Sequence, residues 1–476
     1  MNPTDLSAFD LSAAIYSKQI SCREVMQAYL AQIDTLNPLY NAIVSLADYD
    51  DLLNQADAHD ALMAAGKSKG WMHGMPQAIK DLAPAAGFPT TMGSPLLAKN
   101  VATEDGLMAS RMRRAGAIII GKTNTPEFGL GSHTFNTVFG ATRNTFDLDR
   151  TAGGSSGGAA VALTKHMLPV ADGSDFMGSL RNPAAWNNIV GMRPSQGRVP
   201  MWPVADTWVA QLGTEGPMGR NVRDVAMLLQ TQSGFDERCP LSLSTIERFA
   251  DNLQGFDAGQ LRIGWLGDLQ RYLPFEDGIL ALCEKALHVV STHGVKVAHC
   301  KPNFDPAKTW EHWLVWRKWL VSARLAPLLA NPLNRKHMKD EAIWEFEQAQ
   351  GLTAQQVMLA SEGRSQFYQS ITKHFEQFDV LAIPSAQVWP FAIDTLWPKQ
   401  INGRTMDTYH RWMEAVIYAT FAGLPCVSVP VGFGSVAGLK SDDSTVDLPM
   451  GLQLIGRPQG DAALLQAAQL FESILA

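Results

Sequence analysis

Two hydrophobic periods alternate along this chain, and the places where they change divide it into regions. In SCREVMQAYLAQIDTL, Val25, Tyr29, Ile33 and Leu36 fall at spacings of four, four and three, one stripe of a helix. Ser21 precedes the stripe and Glu24 follows three residues later, a capping box that predicts a helix start at this serine. Helical patterns of this kind fill residues 5–65. From Gly74 the texture changes to short apolar runs ended by glycine, proline or polar residues. MPQAIKD and AGAIIIGKTN predict buried strands, and DGLMASRMRRAG between them predicts a connecting helix. AAVALTKHM, residues 159–167, predicts a buried helix entered directly from a glycine-rich loop.

From about 236 to 375 the helical patterns lengthen, glycines thin out, and Trp310, Trp313, Trp316 and Trp319 recur at helical spacing. Strand-like runs return in FDVLAIPS, LPCVSVPVGFG and LPMGLQLIGRP, before a final helix in DAALLQAAQLFESIL. Strands alternating with helices predict an α/β fold. Its core is a single large, mixed and mostly parallel β-sheet covered by helices on both faces. The C-terminal strands are expected to rejoin the sheet after the helical excursion.

Composition narrows the function classes. Hydrophobic residues make up 46% of the 476 and charged residues 18%, the balance of a globular protein with a large core. The net charge of −7 is spread along the chain without a Lys/Arg run, so no direct nucleic-acid partner and no membrane-surface patch are expected. Five scattered cysteines without a C-x-x-C pair read as reduced thiols of a cytoplasmic protein. No signal peptide and no bilayer-spanning apolar run are evident.

The stretch TAGGSSGGAA, Thr151 to Ala160, carries the first chemical question. A Walker loop places lysine and a hydroxyl after its last glycine, whereas Ala159 and Ala160 follow Gly158 here, and G-x-G-x-x-G spacing is absent. An ordinary turn, a phosphate loop and a catalytic loop all stay open on this segment alone. A second such loop, DFMGSLRNP, sets Ser179 between Gly178 and Leu180, followed by Arg181 and Pro183. A serine in a glycine-bounded turn can present its hydroxyl among converging backbone amides, the layout of an acyl-transfer nucleophile and its oxyanion hole. Such a serine needs a base. His133 and His166 have no evident partnership with these loops and read as ordinary histidines. Lys80, at the end of a buried strand and followed by Asp81, can act as a base if burial keeps it neutral. The alternative is a lysine that reaches to the surface at a strand end.

Taken together, GMPQAIKD, AGAIIIGKTNTPEFGLG, FGATRNTFDLDRTAGGSSGG, GSDFMGSLRNPAAWNNIVGMRPSQGRVP, GPMGRNVRDVAMLL and GLPCVSVPVGFG resemble the amidase signature hydrolases almost end to end, most weakly over 236–375. The resemblance implies the amidase signature fold and one amidase domain over 1–476. This domain would comprise N-terminal helices (1–65), the signature core (66–235), a variable helical substrate-pocket region (236–375) and the C-terminal strands (376–476). It implies Ser179 as nucleophile, Ser155 after a cis peptide as proton relay, and Lys80 as base. Ser155 lies 75 residues after Lys80, and Ser179 another 24 on, separations that fit the family pattern. It further implies an oxyanion hole from the N–H groups of Phe176, Met177, Gly178 and Ser179, with Ser156, Asp175 and Arg181 in support.

One departure stands out: Met177 replaces the first glycine of the pair that usually precedes the nucleophile. Methionine there is compatible if the position supplies only its N–H, and strained if it requires positive φ. Gly129, Leu130, Gly131 and Ser132 match positions bordering the substrate pocket, with Phe176 and Met177 crowding the nucleophile. The tryptophan series is expected as core packing, with an outer pocket wall as the alternative. The implied activity is hydrolysis of a hydrophobic or aromatic amide, anilide, ester or carbamate by a monomer or homodimer, without metal or organic cofactor. Two rivals are a glutaminase component that serves charged tRNA with partner subunits, and an inactive binding protein of the same fold. The first is expected to carry an MDEF-like segment where this chain has TPEF.

Overall fold

The computed structural model describes residues 2–245, 247–251, 253–254, 256–439 and 444–476. The first elements are helices α1 (Ala8–Tyr16), α2 (Cys22–Tyr40) and α3 (Tyr49–Ala64). At α2 the Ser21 hydroxyl accepts the Glu24 N–H at 3.1 Å, and Glu24 Oε2 accepts the Ser21 N–H at 2.8 Å, completing the capping box. Val25, Tyr29 and Ile33 are buried, and Leu36 at the end of the stripe is half-buried.

A small sheet follows, built from β1 (Ile43–Val44), β2 (Pro76–Lys80) and β3 (Ile118–Thr123) in the order β1-β3-β2. β2 and β3 run parallel, with α4 (Leu107–Arg114) between them in sequence, as the alternating texture predicts. The large sheet comprises β4 (Ala171–Asp175), β5 (Val190–Arg193), β6 (Thr214–Gly219), β7 (Arg262–Trp265), β8 (Lys296–His299), β9 (Val380–Pro384), β10 (Cys426–Ala437) and β11 (Thr445–Ile455). Its order is β8-β7-β9-β11-β10-β5-β6-β4.

The sheet is mixed as expected, but the expectation of mostly parallel pairing needs correction. β7 runs parallel to β8 and to β9, and the other five neighbouring pairs are antiparallel. Doubly covered strands read as continuous apolar runs whichever way they pair, so the pattern does not report direction. β10 and β11, consecutive in sequence, return on each other as a long hairpin. A second correction concerns residues 236–375, where β7 and β8 interrupt the helices and extend the sheet.

The remaining helices are α5 (Gly157–Thr164), α6 (Arg181–Trp186), α7 (Val222–Gln232), α8 (Ile279–Thr292), α9 (Pro306–Leu329), α10 (Asp340–Gln348), α11 (Ala354–Lys373), α12 (Ile417–Ala422) and α13 (Asp461–Leu475). Strand alternation sorts them onto the two faces. A Cβ at Gly451 would meet Ala185 of α6 and Ser428 Oγ, and Arg181 of α6 reaches Gln453. The intervening Val427, Val429, Leu452 and Leu454 point the other way, all buried. Among the described residues no helix is long and apolar enough to cross a membrane.

Candidate active site

Lys80 ends β2 at the junction of the two sheets. Its N–H donates to Asp172 Oδ2 on β4 at 3.1 Å, which fixes the strand end. Its side chain points inward and is 1% exposed, so the surface-lysine alternative is excluded. Nζ lies 2.7 Å from Ser155 Oγ, 2.8 Å from Ser156 Oγ, 3.1 Å from Ser174 Oγ and 3.3 Å from the Ser174 carbonyl. No carboxylate is within ion-pair distance of Nζ among the described residues. Burial therefore dominates and lowers its pKa from 10.5 to about 7, against the opposing pull of Asp172, Asp175 and Glu215 and with help from Arg324.

These neighbours are themselves shifted by burial, with Asp172 raised to about 6 and Glu215 to about 8. Glu215 on β6 pairs in register with Ser174 on β4. Opposed residues of an antiparallel pair share a face, so Glu215 stands on the side that meets the lysine. A second buried lysine, Lys122, is committed elsewhere. Its Nζ lies 2.6 Å from the Ala83 carbonyl and 3.8 Å from Asp81.

The glycine loop runs through the protein interior, and close approach accounts for its composition. A Cβ on Gly158 would lie 2.4 Å from the Asn124 nitrogen, and one on Gly157 would lie 2.3 Å from Thr134 Oγ1. The Gly154–Ser155 peptide is cis. Ser132 Oγ donates to the Gly154 carbonyl at 2.6 Å and accepts the Gly154 N–H at 3.2 Å. Its hydroxyl therefore clamps this peptide instead of facing a ligand. The Ser156 N–H donates to the Ser179 carbonyl at 3.3 Å and ties the two serine loops together.

Asp175 and Arg181 build the turn that carries Ser179. Asp175 accepts the Gly178 N–H at 2.8 Å, the Leu180 N–H at 3.2 Å, and two Arg181 donors at 2.9 Å each. Burial opposes the Asp175 charge, but Arg181, Arg193 and the Gly178 N–H overcome it and hold the carboxyl at about 2. The Gly178 N–H is thus engaged by Asp175. Those of Phe176, Met177 and Ser179 carry no hydrogen bond to another described residue. Positive φ falls on Gly178, at +82°, and not on Met177. A Cβ at Gly178 would also press to 2.8 Å from Val416. Methionine is therefore accommodated without backbone strain.

Around the nucleophile the structure gathers groups that no motif signals. Arg317 of α9 lies 3.6 Å from Met177 Sδ through Nη1, 2.6 Å from Glu345 and 2.6 Å from Tyr409 Oη. Tyr409 donates to the same Glu345 oxygen at 2.7 Å. Phe176 sits between the Trp313 ring at 5.9 Å and the Arg317 guanidinium at 5.6 Å. Gly129 approaches the relay loop, since a Cβ there would meet Ser155 Oγ at 3.6 Å. Leu130 is buried, and its carbonyl accepts Lys339 Nζ at 2.8 Å. Gly131 borders Tyr409.

Trp310, Trp313 and Trp316 are buried in the core, in keeping with packing. Trp316 and Trp319 also line a cavity of about 1000 Å³ with Trp208, Tyr368 and Phe421, which contains none of Lys80, Ser155 or Ser179. His133 bonds through Nδ1 to Thr151 Oγ1 and through Nε2 to the Ile393 carbonyl, and burial lowers its pKa to about 4. It is a satisfied core histidine. His166 bonds to the Thr4 carbonyl, away from the serine loops.

Comparison with known proteins shows the family. The amidase family profile matches residues 24–465. The chain belongs to the amidase family. It is accordingly an amide-hydrolysing enzyme. An acylamidase of Rhodococcus erythropolis is 31% identical to this amidase over 98% of the chain and 95% of the relative. A glutamyl-tRNA(Gln) amidotransferase subunit of Burkholderia ambifaria (strain MC40-6) is also 31% identical, over 98% of the chain and 97% of the relative. Among solved structures, a bacterial aryl acylamidase of the amidase signature family superposes with a TM-score of 0.88 at 30% identity, covering 98% of this chain and 96% of that one.

Proposed function

We propose that this amidase hydrolyses amides through an acyl-enzyme on Ser179, with Ser155 as relay and Lys80 as base. The observation that carries the reading is the buried lysine amine, held by three serine hydroxyls instead of a carboxylate. A pKa of about 7 leaves roughly half of it neutral at pH 7. The neutral amine takes the Ser155 proton as Ser155 takes that of Ser179, and the freed Ser179 oxygen attacks the amide carbonyl. The N–H groups of Phe176, Met177 and Ser179 stabilise the resulting oxyanion, an effect of about 2.7–4 kcal/mol per donor. Lysinium returns its proton through Ser155 to the departing amine. Water then attacks the acyl-enzyme by the same relay and releases the acid.

The substrate we infer is an aromatic or otherwise apolar amide or anilide, because Phe176 and Met177 precede Ser179 in its turn and the Trp313 ring lies 5.9 Å from that of Phe176. Esters and carbamates present the same carbonyl. The acylamidase relatives support this choice. Aryl acyl anilides are expected to turn over faster than short aliphatic amides in the purified enzyme. Turnover of the aliphatic amides alone refutes the choice.

The amidotransferase relatives support a second reading, ammonia release from glutamine within a multi-component complex. The segment TPEF and the apolar Phe176 and Met177 just before Ser179 weigh against it. Anilide hydrolysis by the isolated chain, with no glutaminase activity, decides between the two.

A further inference from the structure

The turn that carries Ser179 is held unevenly. Its second half is fixed by backbone contacts: Gly178 and Leu180 donate to the Asp175 carboxylate, and the Gly178 carbonyl accepts the Arg181 and Asn182 N–H groups at 2.9 and 2.7 Å. Its first half has no such hold. Among the described residues neither the N–H nor the carbonyl of Phe176 or Met177 enters a backbone hydrogen bond. Yet these two N–H groups are among the donors left free for an oxyanion. A donor displaced by about 1 Å can cost about a hundredfold in rate, so the side chains must fix what the backbone does not.

Both side chains meet one guanidinium. Arg317 of α9 directs Nη1 at Met177 Sδ, 3.6 Å away, and lies 5.6 Å from the centre of the Phe176 ring. The sulfur is the one hydrogen-bond partner of Nη1 among the described residues. Glu345 of α10 accepts Nε at 2.6 Å. Tyr409 Oη accepts Nη2 at 2.6 Å and donates to Glu345 at 2.7 Å. All four side chains are buried, and a closed set of buried hydrogen bonds holds each member in one orientation. Glu345 and Tyr409 thus aim the guanidinium, and its remaining nitrogen carries that alignment to the turn. Methionine is what offers it a hold, because the glycine usual at this position has no side chain to grip.

We propose that Arg317 is a positioning residue for the oxyanion donors, acting through the thioether of Met177, a role that rests on acyl-enzyme formation at Ser179 with these donors. Sulfur is a weak acceptor, so the contact orients the turn more than it stabilises the fold. Charge develops on the carbonyl oxygen only in the transition state. The pair therefore acts on kcat and leaves substrate affinity nearly unchanged.

A double-mutant cycle on kcat tests this. Met177→Leu keeps the volume and removes the acceptor. Arg317→Gln combined with Glu345→Gln removes the guanidinium without stranding a buried charge. Each is expected to lower kcat for an anilide about tenfold with KM within about twofold, and the two together to lose no more than either alone. Met177→Gln, whose amide oxygen is an acceptor on a side chain of similar length, is expected to retain more activity than Met177→Leu. A trifluoromethyl ketone, whose adduct carries the oxyanion, should bind about tenfold more weakly to Met177→Leu than to the wild type. Unchanged kcat in Met177→Leu, a rise in KM with kcat kept, losses that multiply, or Met177→Leu outperforming Met177→Gln overturns the proposal. Urea unfolding of the same variants separates folding from rate, and coupling present in stability but absent from kcat also overturns it. Coupled losses in kcat would stand whichever serine attacks, whereas failure of the proposal leaves covalent capture on Ser179 untouched, so the two claims fail separately.

Discussion

Replacing Asp172 by asparagine should make the enzyme work at lower pH. The substitution is nearly isosteric, and the amide oxygen can still accept the Lys80 N–H that Asp172 Oδ2 accepts at 3.1 Å. What it removes is a negative charge that favours lysinium. At an effective dielectric of about 20, two unit charges within roughly 10 Å of each other interact by about 1.5 kcal/mol or more, and about 1.4 kcal/mol corresponds to a tenfold change in the protonation equilibrium. The Lys80 pKa should therefore fall from about 7 by about one unit or more. Because the neutral amine is the base, activity in wild type rises as pH increases through about 7.

The groups facing the lysine's charge are Asp172 and Asp175 on β4, Glu215 on β6 and Arg324 on α9. Glu215, held up at about 8, ionises in the same window and pulls toward lysinium, so the wild-type limb should be shallower than a single ionisation. The assay is kcat/KM for a chromogenic anilide between pH 5 and 10. In Asp172→Asn the acid limb should move down by at least one pH unit, and in Arg324→Ala it should move up. An acid limb that stays in place or rises in Asp172→Asn refutes the reasoning.

Three further outcomes follow from the geometry. Ser155→Ala removes the relay between amine and nucleophile and should lower kcat by about 10²–10⁴-fold, read by stopped or continuous anilide assay with the circular dichroism unchanged. Gly178→Ala sets a Cβ at φ +82° and 2.8 Å from Val416, and should cost about 2–4 kcal/mol in urea unfolding. Arg317→Ala strands the buried Glu345 carboxylate and should cost about 3–5 kcal/mol, whereas adding Glu345→Gln should recover part of that loss.

How much of this was legible in the chain depended on how local each signal is. The α2 cap and stripe, the β2–α4–β3 unit and the buried α5 rest on residues close in sequence, and all formed as expected. β7 and β8 were missed because RIGW and KVAH are four residues long and β8 is largely exposed, leaving no apolar run to read. Strand direction in the large sheet was missed because burial on two faces erases the alternation that would reveal it. At the site, the two serine loops and Lys80 could be singled out as candidates from their glycine and strand contexts, and the resemblance to the amidase signature hydrolases supplied their roles. Ser174 could not, since only the fold brings its hydroxyl to Lys80. The Arg317–Glu345–Tyr409 network joins residues 28 and 92 positions apart, beyond the reach of any local pattern.

The central claim is that Ser179 is the nucleophile, and covalent capture tests it most directly. The purified enzyme, treated with a fluorophosphonate and read by peptide mass spectrometry, should carry the label on Ser179 in step with loss of amidase activity. Ser179→Ala should carry no label and show no turnover while remaining folded. Label on Ser155 or Ser156, or full activity in Ser179→Ala, would contradict the account.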